Sequence, residues 1–107
     1  MEIKSEIKGF EGTVYLPEFL TLPQVNRFSQ ALAEVSSKEG IKVWERDEIM
    51  MPAIFACIER MEIEKQPEHP TLETFCFTPA PRANELISLL IVGVSNMVMG
   101  EQEIPNA

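Results

Sequence analysis

Thr78-Pro79-Ala80-Pro81-Arg82-Ala83-Asn84-Glu85-Leu86-Ile87-Ser88-Leu89-Leu90-Ile91-Val92-Gly93-Val94-Ser95-Asn96-Met97-Val98-Met99-Gly100 is the stretch around which this 107-residue chain is organised. Two prolines stand where a helix can begin, because its first turn has no intrahelical use for N–H groups. A glycine stands where it can end. Between them the apolar residues leave almost no polar face. A helix that is apolar nearly all round is either buried or meets another protein on its second face. The continuous apolar run from Leu86 to Met99 holds 14 residues and includes Ser95 and Asn96. A bilayer crossing takes about 20 apolar residues, so the run reads as a core helix and not as a membrane span.

Working outward, the segment before this helix is broken twice, in Gln66-Pro67-Glu68-His69-Pro70. Thr71 to Phe75 reads as one helical turn, with Phe75 and Phe77 docking on the core. Further upstream, Ile49, Ala53, Cys57 and Met61 recur at four, and Ile54 and Ile58 widen the stripe. This spacing predicts a helix. Asp47 is placed to cap it, but Pro52 cannot donate and clashes with the carbonyl four residues back. The reading adopted is a helix starting near Met50 and running to about residue 62. Ile41-Lys42-Val43-Trp44 is short and β-prone, and reads as a strand. Its lone tryptophan fits a core or rim anchor better than a ligand platform.

Thr21-Leu22-Pro23-Gln24 has the form of a capping box with proline in the first turn. Behind it Val25, Phe28, Leu32 and Val35 recur at three and four, which predicts an amphipathic helix over about 22–38, closed by Gly40. Thr13 to Leu16 reads as a strand closed by Pro17. Glu2 to Lys8 reads as a short edge strand or a frayed arm. The expected fold is therefore a single domain over 1–107 of the α+β class, mostly α. Three helices at about 22–38, 50–62 and 80–99 form its core, and a small N-terminal sheet or hairpin over 12–16 and 41–44 covers one side.

Composition narrows the function. Nine Lys and Arg stand against seventeen Asp and Glu, a net charge of −8, with no basic run. Phosphate neutralisation needs clustered cations, so neither nucleic acid nor an anionic membrane surface is an expected partner. Cys57 and Cys76 lie in apolar strings, Phe55-Ala56-Cys57-Ile58 and Phe75-Cys76-Phe77, which suits buried reduced thiols. With no CxxC and an alternating-charge start, the cytoplasm is the expected compartment.

No residue set points to a reaction. His69 is the single histidine and sits in a proline loop, so no histidine metal cluster can form within one chain. Apolar surroundings make both thiols inert nucleophiles. The acid pairs Glu62 and Glu64, or Asp47 and Glu48, read as solvated faces. No cofactor, metal or catalytic residue is assigned. The six methionines fit core filling, with an adaptable contact patch at Met50, Met51, Met97 and Met99 as the alternative.

The C-terminal half carries a resemblance. It runs Cys57-Ile58-Glu59-Arg60-Met61-Glu62-Ile63, then Pro70-Thr71-Leu72-Glu73-Thr74-Phe75, then Glu85-Leu86-Ile87-Ser88-Leu89-Leu90, and closes on Gly100-Glu101-Gln102-Glu103-Ile104-Pro105-Asn106. Together with Gly12-Thr13-Val14-Tyr15-Leu16-Pro17, this resembles the small tail assembly chaperones of long-tailed phages and prophages. Where that family commonly carries a tryptophan at the helix end, this chain has Met61. The resemblance implies a non-enzymatic protein of the bacterial cytoplasm that coats the tape measure protein and recruits tail tube subunits. It also implies a longer frameshifted second product. On that reading the surplus apolar face of the last helix is a client or self-association surface, with Leu86, Leu90, Val94, Met97 and Val98 as contacts and Met50 and Met51 joining them. The competing reading is a small acidic regulator, an immunity protein or antitoxin, facing a basic partner. Such an inhibitor gathers its acids on one face, whereas here they are scattered from Glu2 to Glu103.

Overall fold

The computed structural model describes residues 1–99, in the order β1 (Glu2–Ser5), β2 (Gly12–Tyr15), α1 (Leu22–Ser37), α2 (Val43–Phe55), β3 (Arg60–Ile63) and α3 (Ala80–Met99). The expected helix stop at Gly100 and the polar end 101–107 lie outside the described residues. The fold is α+β and mostly α.

The strands form one antiparallel sheet in the order β1-β2-β3. Ile3, Val14 and Met61 stand in one cross-strand row, and Ser5, Gly12 and Ile63 in another. These rows face the core: Val14, Met61 and Ile63 are buried, and Ile3 packs against α3. The alternate residues face out, where the Arg60 guanidinium lies 3.9 Å above the Tyr15 ring and pairs with Glu62. Glycine is needed at position 12. There φ is +145°, and a Cβ would lie 1.9 Å from the Glu62 carbonyl oxygen. A Cβ at Gly93 would lie 2.3 Å from Ile3 Cδ1, so that glycine lets β1 approach α3 closely.

α1 begins as its sequence dictates. Thr21 Oγ1 accepts from Gln24 N at 3.4 Å, and Gln24 Oε1 accepts from Thr21 N at 2.7 Å. The same glutamine's Nε2 donates to Ala56 O at 2.8 Å, tying the start of α1 to the end of α2.

Two expectations are corrected. Residues 41–44 are not a strand: Lys42 caps α2, its N–H donating to Glu45 Oε1 at 3.1 Å, and Val43 and Trp44 are its first helical residues. β2, the strand they would have joined, is already paired on both edges. α2 therefore starts at Val43 and not near Met50, puts Asp47 inside the helix and runs through Pro52. Pro52 and Glu48, whose carbonyl it leaves without an N–H, both stand on the exposed side of α2. Solvent can satisfy that carbonyl, which lowers the cost of the proline. The helix ends at Phe55, and Arg60–Ile63, expected as its last turn, is β3.

α3 is the core element. Ala83, Leu86, Ile87, Leu90 and Val94 are buried on it, against Phe10, Phe28, Met50, Ile54 and Met61 from the other elements. Its 20 residues and mean hydropathy of 1.2 meet the length and composition of a marginal membrane-crossing helix. In this fold its buried row is what the core is built on, so withdrawing it would dismantle the domain.

Candidate functional site

The residues expected to form a contact surface are mostly core. Leu86, Leu90 and Val94 are fully buried, Met50 and Met51 nearly so, and Met97 and Val98 are half-buried against the core. The physical reason is the sheet. With β1 packed at Gly93 and α2 on the other side, the apolar girth of α3 is consumed within one chain. What α3 leaves outside is Met99 at its end, 65% exposed, and Val92, 56% exposed, beside half-buried Leu89. Leu89 and Val92 line a shallow groove against β1 together with Lys4, Ile7, Arg82 and Glu85.

The concentrated apolar exposure lies elsewhere, at a cleft of about 260 Å³ between α2, the 64–79 connection and α3. α2 supplies Trp44, Asp47, Glu48, Met51 and Phe55, whose spacing of three and four puts them on one helix face. The connection supplies Leu72, Phe75 and Phe77, and Ile87 of α3 completes the wall. Trp44 is 59% exposed, Leu72 48% and Phe77 40%. Phe55 and Phe75 stack with ring centres 5.6 Å apart and planes tilted by 41°. Of the expected contact residues only Met51 borders this cleft.

A glutamine holds the connection in place. Gln66 Nε2 donates to Cys76 O and Gln66 Oε1 accepts from Cys76 N, both at 2.8 Å. The side-chain amide thus completes both backbone groups of one residue ten positions away. Within the loop, Thr71 O accepts from Thr74 N at 3.2 Å and from Phe75 N at 2.9 Å, the expected single turn. That turn presents Leu72 outward while Phe75 turns in towards Phe55.

Of the two carboxylates in the wall, Asp47 is the buried one. Asp47 Oδ1 accepts from Arg46 Nε at 3.2 Å and Nη2 at 3.0 Å. Its Oδ2 is buried with no partner. The remaining candidates do not converge. His69 is exposed, 4.0 Å from Glu68. Cys57 is buried, and that burial pushes its thiol above the ordinary 9.0, with the nearby Arg27 charge opposing the shift. Among the described residues no three His, Cys, Asp or Glu side chains are placed to hold a metal ion.

The sequence signal for the cleft was the density of large apolar side chains in a proline-rich connection: Leu72, Phe75 and Phe77. Chain spacing alone could not place them beside Trp44. Comparison with protein-family models, with curated proteins and with solved structures finds no match.

Proposed function

We propose that this chain is a non-enzymatic binding protein of the tail-assembly-chaperone kind, working in the cytoplasm of a bacterial host. It holds apolar stretches of the tape measure protein, of tail tube subunits, or of both, during tail assembly. The observation that supports this reading is the cleft at Trp44, Leu72 and Phe77, where three large apolar side chains from two elements stay between 40% and 59% exposed around one opening. Contiguous exposed apolar surface rimmed by polar residues marks protein-binding sites. Helix-in-groove recognition uses such clefts, with apolar anchors from the client at three and four spacing. On this reading the client meets α2 and the 64–79 connection rather than the buried row of α3. Self-association through the outer face of α3, at Leu89 and Val92, is the second part of the proposal.

The test is co-expression with a tape measure polypeptide. The wild-type chain should keep that polypeptide soluble and co-purify with it. A Leu72→Ser, Phe77→Ser double variant, altered only at exposed positions, should stay folded and lose the complex. A wild-type chain that leaves the polypeptide insoluble, or a double variant that binds as well as wild type, overturns the proposal.

A further inference from the structure

We infer that the cleft takes a lysine or arginine side chain of the client polypeptide, its stem against Trp44 and Phe77 and its charged head hydrogen-bonded to Asp47. The inference rests on the cleft being the client-binding face and adds what the client must bring to it.

The first ground is the state of Asp47. Its side chain is 9% exposed, and one carboxylate oxygen takes both Arg46 contacts while the other takes none. A buried acceptor left unmet keeps its full desolvation cost, and a charged one costs more. Such a group in a folded protein calls for an explanation, and a ligand donor is one.

The second ground is the surrounding chemistry. Asp47 lines the same cleft as Trp44, Met51, Phe55, Leu72 and Phe77. A donor reaching it has to lie along hydrocarbon first. Lysine and arginine bring both parts, an apolar stem and a cationic head. A short neutral donor such as serine brings no stem, and a leucine brings no donor.

Size and charge agree. The volume of about 260 Å³ falls below the roughly 300–1,000 Å³ of small-molecule pockets and suits a long side chain. Glu48 adds a second carboxylate to the wall, and the Arg46 guanidinium is engaged with the other Asp47 oxygen. The exposed indole of Trp44 offers a face for a cation.

Trp44 is the only tryptophan, so its emission reports on the cleft without a label. The probes are short amphipathic helical peptides of leucine, alanine and glutamine, identical except for a central lysine, acetyl-lysine or norleucine. The lysine peptide should shift Trp44 emission and bind about tenfold tighter than the other two. Asp47→Asn, which keeps the shape and removes the charge, should bind all three alike. Circular dichroism and urea unfolding report whether the variant is folded, and the acetyl-lysine comparison on wild type decides the matter if it is not. Equal binding of lysine and norleucine peptides to wild type overturns the inference while leaving the cleft an apolar binding face. No response to any peptide overturns both.

Discussion

Leu90→Ala separates a core role for α3 from an interface role. Leu90 is fully buried in the cluster formed with the other elements. The substitution removes three carbons, and at about 0.8 kcal/mol per buried methylene the transfer loss alone is about 2.4 kcal/mol. The cavity left behind raises the total to about 3–4 kcal/mol. With a urea slope of about 1–3 kcal/mol/M, the unfolding midpoint should fall by about 1–4 M. Val92→Ala on the same helix is the control. Val92 is 56% exposed, and such a surface change is expected to stay within about 0.5 kcal/mol. Urea unfolding followed by circular dichroism, with light scattering on each variant, reads both quantities. A Leu90→Ala variant as stable as wild type but altered in oligomeric state would refute the packing argument. So would a Val92→Ala variant that loses as much stability as Leu90→Ala.

Other expectations follow from single contacts. Gly12→Ala places a methyl 1.9 Å from the Glu62 carbonyl oxygen; the β2–β3 pairing should break, and thermal unfolding should show a loss well beyond the typical ~1 kcal/mol of a point change. Gln66→Ala removes two 2.8 Å hydrogen bonds to Cys76; a loss of about 1–3 kcal/mol and faster hydrogen exchange at the Cys76 amide are expected, and unchanged exchange would show that the loop is held by its phenylalanines instead. Cys57 is buried and Cys76 partly exposed, so a thiol reagent at neutral pH should label Cys76 first, as read by mass spectrometry of digested protein. The folded Cys57 pKa lies above the ordinary 9.0. Its contribution to stability is therefore full below that pH and is lost as pH rises through the folded value. Cys57→Ala should flatten that alkaline loss, and an unchanged pH profile would count against it.

The parts of the fold that were legible in the sequence are those set by local chemistry. Thr21 and Gln24 announce the start of α1, and both capping bonds form. Pro79, Pro81 and the apolar run specify α3 over Ala80–Met99. β3 was hidden because Met61 satisfies two patterns at once. It continues the four-residue spacing from Ile49, and it also begins the alternation Met61-Glu62-Ile63-Glu64. The free edge of β2 decided in favour of the strand, and that edge is a tertiary fact. Pro52 misled for a related reason. Its cost depends on whether Glu48 faces water, which spacing alone does not reveal.

The cleft was less legible than the fold. The over-apolar pattern of α3 fits a partner-facing surface, yet a helix of that kind is equally well consumed by a core on two sides. The sheet and α2 supply those two sides here. Leu72 and Phe77 instead sit in a segment without regular structure, which one glutamine amide folds on itself and one pair of stacked rings docks on α2. Asp47 belongs to the same lesson. As an acid near the start of a helix it reads as a cap, and only the position of Lys42 places it inside the helix and against the cleft.

Under the proposed function, clients meet the face made by α2 and the 64–79 connection and not the outer face of α3. Site-specific photocrosslinking tests it most directly, with p-benzoylphenylalanine placed in turn at positions 77 and 92 and the chain co-expressed with a tape measure polypeptide. Both Phe77 and Val92 are exposed, so neither replacement disturbs the core. A crosslink to the polypeptide is expected from position 77, and from position 92 either none or one to a second copy of the chain. Client crosslinks from position 92 with none from position 77 would contradict it.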